Sequence, residues 1–116
     1  MIVDLPWPSP ALSPNARGHW SKRAKAAKAY RLECFILAKA AGVIAPEGKI
    51  RFEIEFYPPS RRAYDDDNLL ARMKSGRDGI ADALGVDDRR FVTQFSVSDK
   101  VIKGGLVRLT IGVLSA

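Results

Sequence analysis

The chain has 116 residues, a length that suits one domain spanning residues 1–116 with a real hydrophobic core. With 19 Lys and Arg against 13 Asp and Glu it carries a formal charge of +6, which favours a polyanionic partner if the charge clusters and a plain solvated surface if it does not. The single cysteine, Cys34, excludes a disulfide framework and a cysteine metal site, and no run reaches the roughly 18 apolar residues of a membrane span. The N-terminus lacks a basic segment followed by an apolar one, so a cytoplasmic protein is expected.

Ile2 to Leu5 reads as a short strand. It runs into PWPSPALSPNARGHW, where Pro6, Pro8, Pro10 and Pro14 exclude a regular helix or a central strand. From Ser21 to about Ala41 the run SKRAKAAKAYRLECFILAKAA is rich in helix formers, with Ser21 placed as N-cap and Gly42 as stop. Its first half carries Lys22, Arg23, Lys25, Lys28 and Arg31. Its second half, with Leu32, Phe35, Ile36 and Leu37, is apolar enough to anchor in a core.

The segment KIRFEIEFY alternates Ile50, Phe52, Ile54 and Phe56 with charged Arg51, Glu53 and Glu55, the period of two of a half-buried strand. Pro58 and Pro59 end it, and Ser60, Arg61 and Arg62 lead to the run YDDDN. A second helix is expected from about Asn68 to Leu84, capped by Asp67 or Asn68 and stopped by Gly85. At about 100° per residue, Leu69, Met73, Gly76, Ile80 and Leu84 form its core stripe, Asp67, Lys74, Asp78 and Asp82 the opposite face, and Arg72 lies roughly 140° from Asp67. Two last strands, FVTQFSVSD and GLVRLTIGV, are expected to pair as a hairpin turning at Lys103, Gly104 and Gly105. The order β-α-β-α-β-β predicts an α+β (α/β two-layer) domain with a mixed β-sheet covered by two helices.

Asp65, Asp66 and Asp67 pose a physical problem. Three consecutive carboxylates repel, and a helix start rewards only one or two acids, so the excess calls for counter-charge. A divalent cation is the economical source. In an extended segment Asp65 and Asp67 point to the same side while Asp66 points away, and Asp87 or Asp88 approaches from the loop after the helix. Mg2+ suits such a site, and a structural Ca2+ is the competing reading, although the acid spacing is not that of an EF-hand loop. Lys74 and Asp78 form an i, i+4 pair, and a solvated face is the plain alternative for Asp78 and Asp82.

The stretch RRAYDDDNLL, the trailing GVDD, and the N-terminal LPWPSP with Asn15 resemble the RusA family of Holliday junction resolvases over nearly the whole chain. The resemblance implies a small homodimeric endonuclease, of a type common in phages and prophages, that nicks branched four-way DNA with Mg2+ or Mn2+ and no small-molecule cofactor. By position it assigns Asp65 and Asp67 to the family's Asp-x-Asp pair, Asn68 to the Asn that follows, and Asp88 to the third catalytic, metal-binding carboxylate. Where the family has a lysine three residues past the Asn, this chain has Ala71. Lys74, one helical turn further on the same face, is the candidate replacement, with Arg72 as the alternative.

A negative metal site repels a polyanion unless positive charge surrounds it. The expected DNA contacts are therefore Asn15, Arg17, Lys22, Arg23, Lys25, Lys28, Arg61, Arg62, Asn68, Arg89, Arg90 and Lys100. His19 is assigned packing or a phosphate contact and not catalysis. Trp20 and Tyr64 are candidates for stacking on bases, and Trp7 is better placed in the core. Two other readings stay open: a non-catalytic DNA-binding module whose acids hold a structural ion or cap a helix, and a general flap or branch nuclease.

Overall fold

The computed structural model describes residues 1–114. Four strands, β1 (Ile2–Leu5), β2 (Ile50–Tyr57), β3 (Phe91–Val97) and β4 (Leu106–Val113), form one mixed sheet in the order β1-β4-β2-β3. Helices α1 (Trp20–Ala40), α2 (Asp66–Arg72) and α3 (Lys74–Leu84) pack on one of its faces, and short 3-10 turns occupy Pro10–Leu12 and Asp88–Arg90. The protein is α+β. No helix among the described residues is long and apolar enough to cross a membrane.

Alternation makes the sheet two-faced. Ile50, Phe52, Ile54 and Phe56 are at most 2% exposed and meet the helices together with Val107, Leu109 and Ile111 of β4, while Arg51, Glu53 and Glu55 look the other way. Burying each such side chain stabilises the fold by about 1.5–3 kcal/mol.

The expected hairpin between the last two strands does not form. β3 lies at the edge, paired in parallel with β2, and β4 inserts between β1 and β2, antiparallel to both. Polarity explains the arrangement: Gln94 and Ser96 of β3 are exposed and suit an edge, whereas β4 buries Val107, Leu109 and Ile111 completely and belongs in the centre. Lys103, Gly104 and Gly105 do turn the chain, but within a longer connection tied to the end of β2 by Ser98 N–H to Phe56 O and Ile102 N–H to Pro58 O. A side chain at Gly105, whose φ is +75°, would strike the Trp7 ring at 2.7 Å.

The expected single helix over 68–84 is two helices. The chain breaks at Met73 (φ −86°, ψ −5°), and α2 begins earlier, capped by Asp65, whose carboxylate accepts the Asn68 N–H at 3.1 Å. Gly85 stops α3 in the left-handed conformation (φ 68°), as expected. The N-cap of α1 is also not the expected Ser21. His19 takes that place, its Nδ1 accepting the Ser21 N–H.

The buried stripe of α1 is Tyr30, Cys34 and Ala38; Leu32 and Ile36, expected to anchor in the core, are 57% and 54% exposed. Close helix packing decides this. A Cβ on Gly79 would lie 2.2 Å from the Arg31 carbonyl oxygen, and one on Gly76 would lie 2.6 Å from the Tyr30 ring, so α1 and α3 meet backbone to backbone. That contact needs small residues on both sides, and it accounts for two glycines in α3 that each cost about 1 kcal/mol of helix propensity.

Candidate metal and nucleic-acid site

At one end of the sheet, which we term the upper end, β2 stops at Tyr57 opposite Leu106. Trp7 covers this end, edge-on to Phe56 and Tyr64. Tyr64 thereby places the run that follows it, and Asp65, Asp66 and Asp67 stand exposed at the start of α2. Among the described residues none of the three is in an ion pair. Only Asp65 is in the extended conformation. Asp66 and Asp67 lie in the first helical turn, so the expectation that Asp65 and Asp67 share one side of an extended segment gives way to a cap and two first-turn acids. Asn68 donates its side-chain amide to Ser13 Oγ at 2.7 Å, tying the acidic turn to the proline-rich loop. Asn15, Arg62, Asp65 and Asn68 line one surface pocket of about 420 Å3 there.

Asp88 is elsewhere. It precedes Phe91, which pairs with Ile50 at the start of β2, so it sits at the lower end of the sheet. A β2–helix–β3 crossover between parallel strands returns the chain to the end where it started, and residues at its two ends cannot meet. The expectation that the helix brings Asp65, Asp67 and Asp88 together within one chain is therefore corrected. Among the described residues no group of three or more His, Cys, Asp or Glu side chains forms a metal-binding cluster. Asp88 is held instead by Arg77, whose Nη1 donates to Oδ2 and Nη2 to the backbone oxygen, each at 3.1 Å. The Arg77 guanidinium lies 5.3 Å and 6.0 Å from the ring centres of Phe91 and Phe52.

The other charges of α3 also differ from expectation. Lys74 is exposed and makes no ion pair with Asp78; Asp82 is taken by Arg31 of α1, at 2.7 Å and 3.0 Å, which holds its carboxyl below the usual range. Arg72 is not an exposed alternative to Lys74. It is 5% exposed, gives an Nη to the Pro8 carbonyl, and lies 5.8 Å from the centre of the Trp7 ring.

Some of the expected DNA-contacting side chains lie at the acidic turn, where Asn15, Arg62 and Asn68 line one pocket with Asp65. Arg61 and Arg62 precede the turn, and Asn15, Arg17, Lys22, Arg23 and Lys25 are exposed on the facing loop and the first turns of α1. Lys28 is exposed further along that helix, and Lys100 lies in the connection anchored to the end of β2. Arg89 and Arg90 are at the lower end. Arg89 pairs with Asp87, and Arg90 donates to the Gly48 and Pro46 carbonyls, which makes it a brace for that loop and not a free cation.

Family models offer no match to the chain. A protein of Xylella fastidiosa (strain Temecula1), described as uncharacterized, is 52% identical over 113 residues, covering 94% of this chain and 74% of that protein. The chain belongs to the family of that protein. The match carries no activity with it, so the functional argument rests on the residues themselves.

Two of those residues carry no periodic signal in the sequence. Arg77 acquires its role only when the crossover brings Asp88 back beneath α3. Arg72 is buried because the helix breaks one residue later, turning a side chain that a continuous helix would leave on its flank towards Trp7 and Pro8.

Proposed function

We propose that the chain is a RusA-type Holliday junction resolvase, a Mg2+-dependent structure-specific endodeoxyribonuclease that nicks four-way DNA as a homodimer. One observation carries the reading: three consecutive exposed carboxylates, unpaired among the described residues, follow Arg61 and Arg62, and Asp65 shares a surface pocket with Arg62 and Asn15, in a chain of net charge +6. Carboxylates without a partner suit a cation from solution, and the basic surround suits the polyanion that must approach them.

Asp65 and Asp67 fit Mg2+, which takes one or two carboxylates and keeps its remaining positions for water and phosphate oxygens. Asp88 belongs to such a site only if a second copy of the chain brings its lower end against the first copy's upper end. In a twofold dimer that arrangement generates two equal sites, the number that paired nicks require. A bound divalent ion would supply an activated water and neutralise charge on the phosphoryl oxygens. The Asn68 backbone N–H fixes the Asp65 carboxylate, and its side chain anchors the turn on Ser13. Lys74, exposed at the start of α3, offers its ammonium to the phosphoryl oxygens in the transition state.

The test is nicking of a four-way junction with Mg2+ or Mn2+, comparing wild type with Asp67→Asn. The expected variant folds and binds the junction but does not nick it. Wild-type protein that binds junctions and never nicks them is a non-catalytic module, and equal cutting of flaps and junctions makes it a general branch nuclease.

A further inference from the structure

A cleft between α1 and the α2–α3 junction gathers, around Lys74, groups that the proposed nicking chemistry leaves unused. The two helices touch at Gly79 and Arg31 and diverge towards Trp20 and Ala71, opening a space of about 470 Å3 walled by Ala24, Ala27 and Ala71. Arg23, Arg72 and Lys74 all line it, and among the described residues none is in an ion pair. Asp78 is the only acid in its lining.

Arg72 is decisive. It is 5% exposed, and among the described residues its Nε has no hydrogen-bond partner and its guanidinium meets a carbonyl oxygen and an aromatic ring but no carboxylate in an ion pair. A guanidinium withdrawn from water without a counter-ion is strongly unfavourable unless an anion completes it. At the mouth Trp20 leaves 75% of its surface in water.

We propose that this cleft seats one nucleotide of a single strand, its phosphate against Arg72 and Lys74 and its base against Trp20 and the alanine wall. A phosphate accepts hydrogen bonds and donates none when fully ionised, so it matches the donors, and the planar guanidinium suits it in particular. A bare anion leaves Trp20 and the apolar wall unused, whereas a base stacks on an aromatic face. The volume lies within the range of small-ligand pockets, about 300–1,000 Å3. A paired base cannot enter it, and unpaired nucleotides occur where strands branch. That the strand is DNA rests on the proposed function; the donors and the apolar wall do not.

The experiment titrates wild type, Arg72→Met, Lys74→Met, Trp20→Ala and the distant control Lys39→Ala with thymidine 5′-monophosphate, thymidine, inorganic phosphate and pentathymidylate. It is run at matched ionic strength without divalent ions, and binding is read from amide shifts in NMR spectra. Expected are monophosphate-induced shifts confined to residues 20–27 and 71–78, weakened about tenfold in Arg72→Met and Lys74→Met and unchanged in Lys39→Ala. Trp20→Ala weakens binding of the monophosphate but not of inorganic phosphate, and pentathymidylate binds wild type about tenfold more tightly than the monophosphate.

Lys74 is exposed, so Lys74→Met keeps the fold even if Arg72→Met does not. Unchanged binding in Lys74→Met, or a monophosphate bound no more tightly than inorganic phosphate, overturns the nucleotide site. Pentathymidylate bound no more tightly than the monophosphate overturns the strand. A protein that never nicks junctions but gives the expected pattern retains the cleft and loses the nuclease, and the opposite outcome does the reverse.

Discussion

Mixing two variants expected to be inactive tests whether the proposed metal site spans two copies. Asp67 follows the upper end of β2 and Asp88 precedes the lower end of β3, with Ile50 registered against Phe91 and Phe56 against Val97. The eight residues of β2 put about 23 Å between those ends, far beyond the roughly 2 Å at which each carboxylate must meet a shared Mg2+. Asp67→Asn and Asp88→Asn homodimers each lack part of both sites. In a heterodimer, one site combines both lesions and the other combines intact Asp67 from one copy with intact Asp88 from the other. Equal mixing with free subunit exchange makes half the dimers heterodimers, so about a quarter of the wild-type first-nick rate returns from two dead parents. The assay follows an end-labelled four-way junction under single-turnover conditions, with exchange confirmed by energy transfer between labelled subunits. Each heterodimer cuts one strand, so nicked junctions accumulate in place of resolved duplexes. A mixture as inactive as its parents, with exchange confirmed, refutes the shared site. Wild-type nicking by Asp88→Asn removes Asp88 from it altogether.

Gly79→Ala drives a Cβ to 2.2 Å from the Arg31 carbonyl oxygen and is expected to cost about 3 kcal/mol in urea unfolding; a loss below about 1 kcal/mol contradicts the close helix contact. Cys34 is fully buried with its thiol pushed up to about 12 by desolvation, so a disulfide reagent at pH 8 is expected to label it only as the chain unfolds, and labelling within seconds of mixing counts against that burial. Asp4 and Asp82 are held below the ordinary carboxylate value of 3.8 by Arg108 and Arg31, so their contribution is present above that pH and lost as the pH falls through the lower folded values. Asp4→Asn/Asp82→Asn is therefore expected to flatten the fall in urea midpoint on the acid side of 3.8, and an unchanged slope contradicts the pairing. Asp88→Asn is expected to lower the melting temperature and Asp67→Asn to leave it level or slightly higher, because Asp88 answers a half-buried guanidinium whereas Asp67, next to Asp65 and Asp66, is in no ion pair among the described residues; equal melting temperatures refute the Arg77 contact.

The sequence told most where one segment contains its own evidence. The period of two in β2 needs no neighbour, and Gly85 ends α3 whatever α3 packs against. Pairing is different, because the turn at Lys103 to Gly105 serves a hairpin and a longer connection equally, and only the greater burial of β4 sends it to the centre. The break at Met73 was hidden because Leu69, Met73, Gly76 and Ile80 keep one apolar stripe through it. Leu32 and Ile36 outrank Cys34 and Ala38 in apolar bulk, whereas the glycine contact with α3 selects small side chains at the interface. For the candidate site, the local cluster Asp65 to Asn68 was readable. The position of Asp88 depended on whether β3 runs parallel to β2, which the expected hairpin left unasked.

That parallel crossover also explains why Asp88 has a resident partner while Asp67 does not. Arg77 lies on the helix face turned to Phe52 and Phe91, with its guanidinium over both rings, and this position leaves Nε buried and, among the described residues, without a partner. The remaining N–H groups need an acceptor, and the residue returning beneath α3 at that height is Asp88. The Arg77–Asp88 pair is thus a consequence of packing an arginine over the sheet. Asp65, Asp66 and Asp67 are exposed at the start of α2 and, among the described residues, no cation answers them in an ion pair, so they are left to solvent. An ion shared with a second copy's Asp88 must then compete with Arg77 for that carboxylate. In the proposed dimer such competition would favour an ion already held by Asp65 and Asp67, and would make Asp88 the ligand added last.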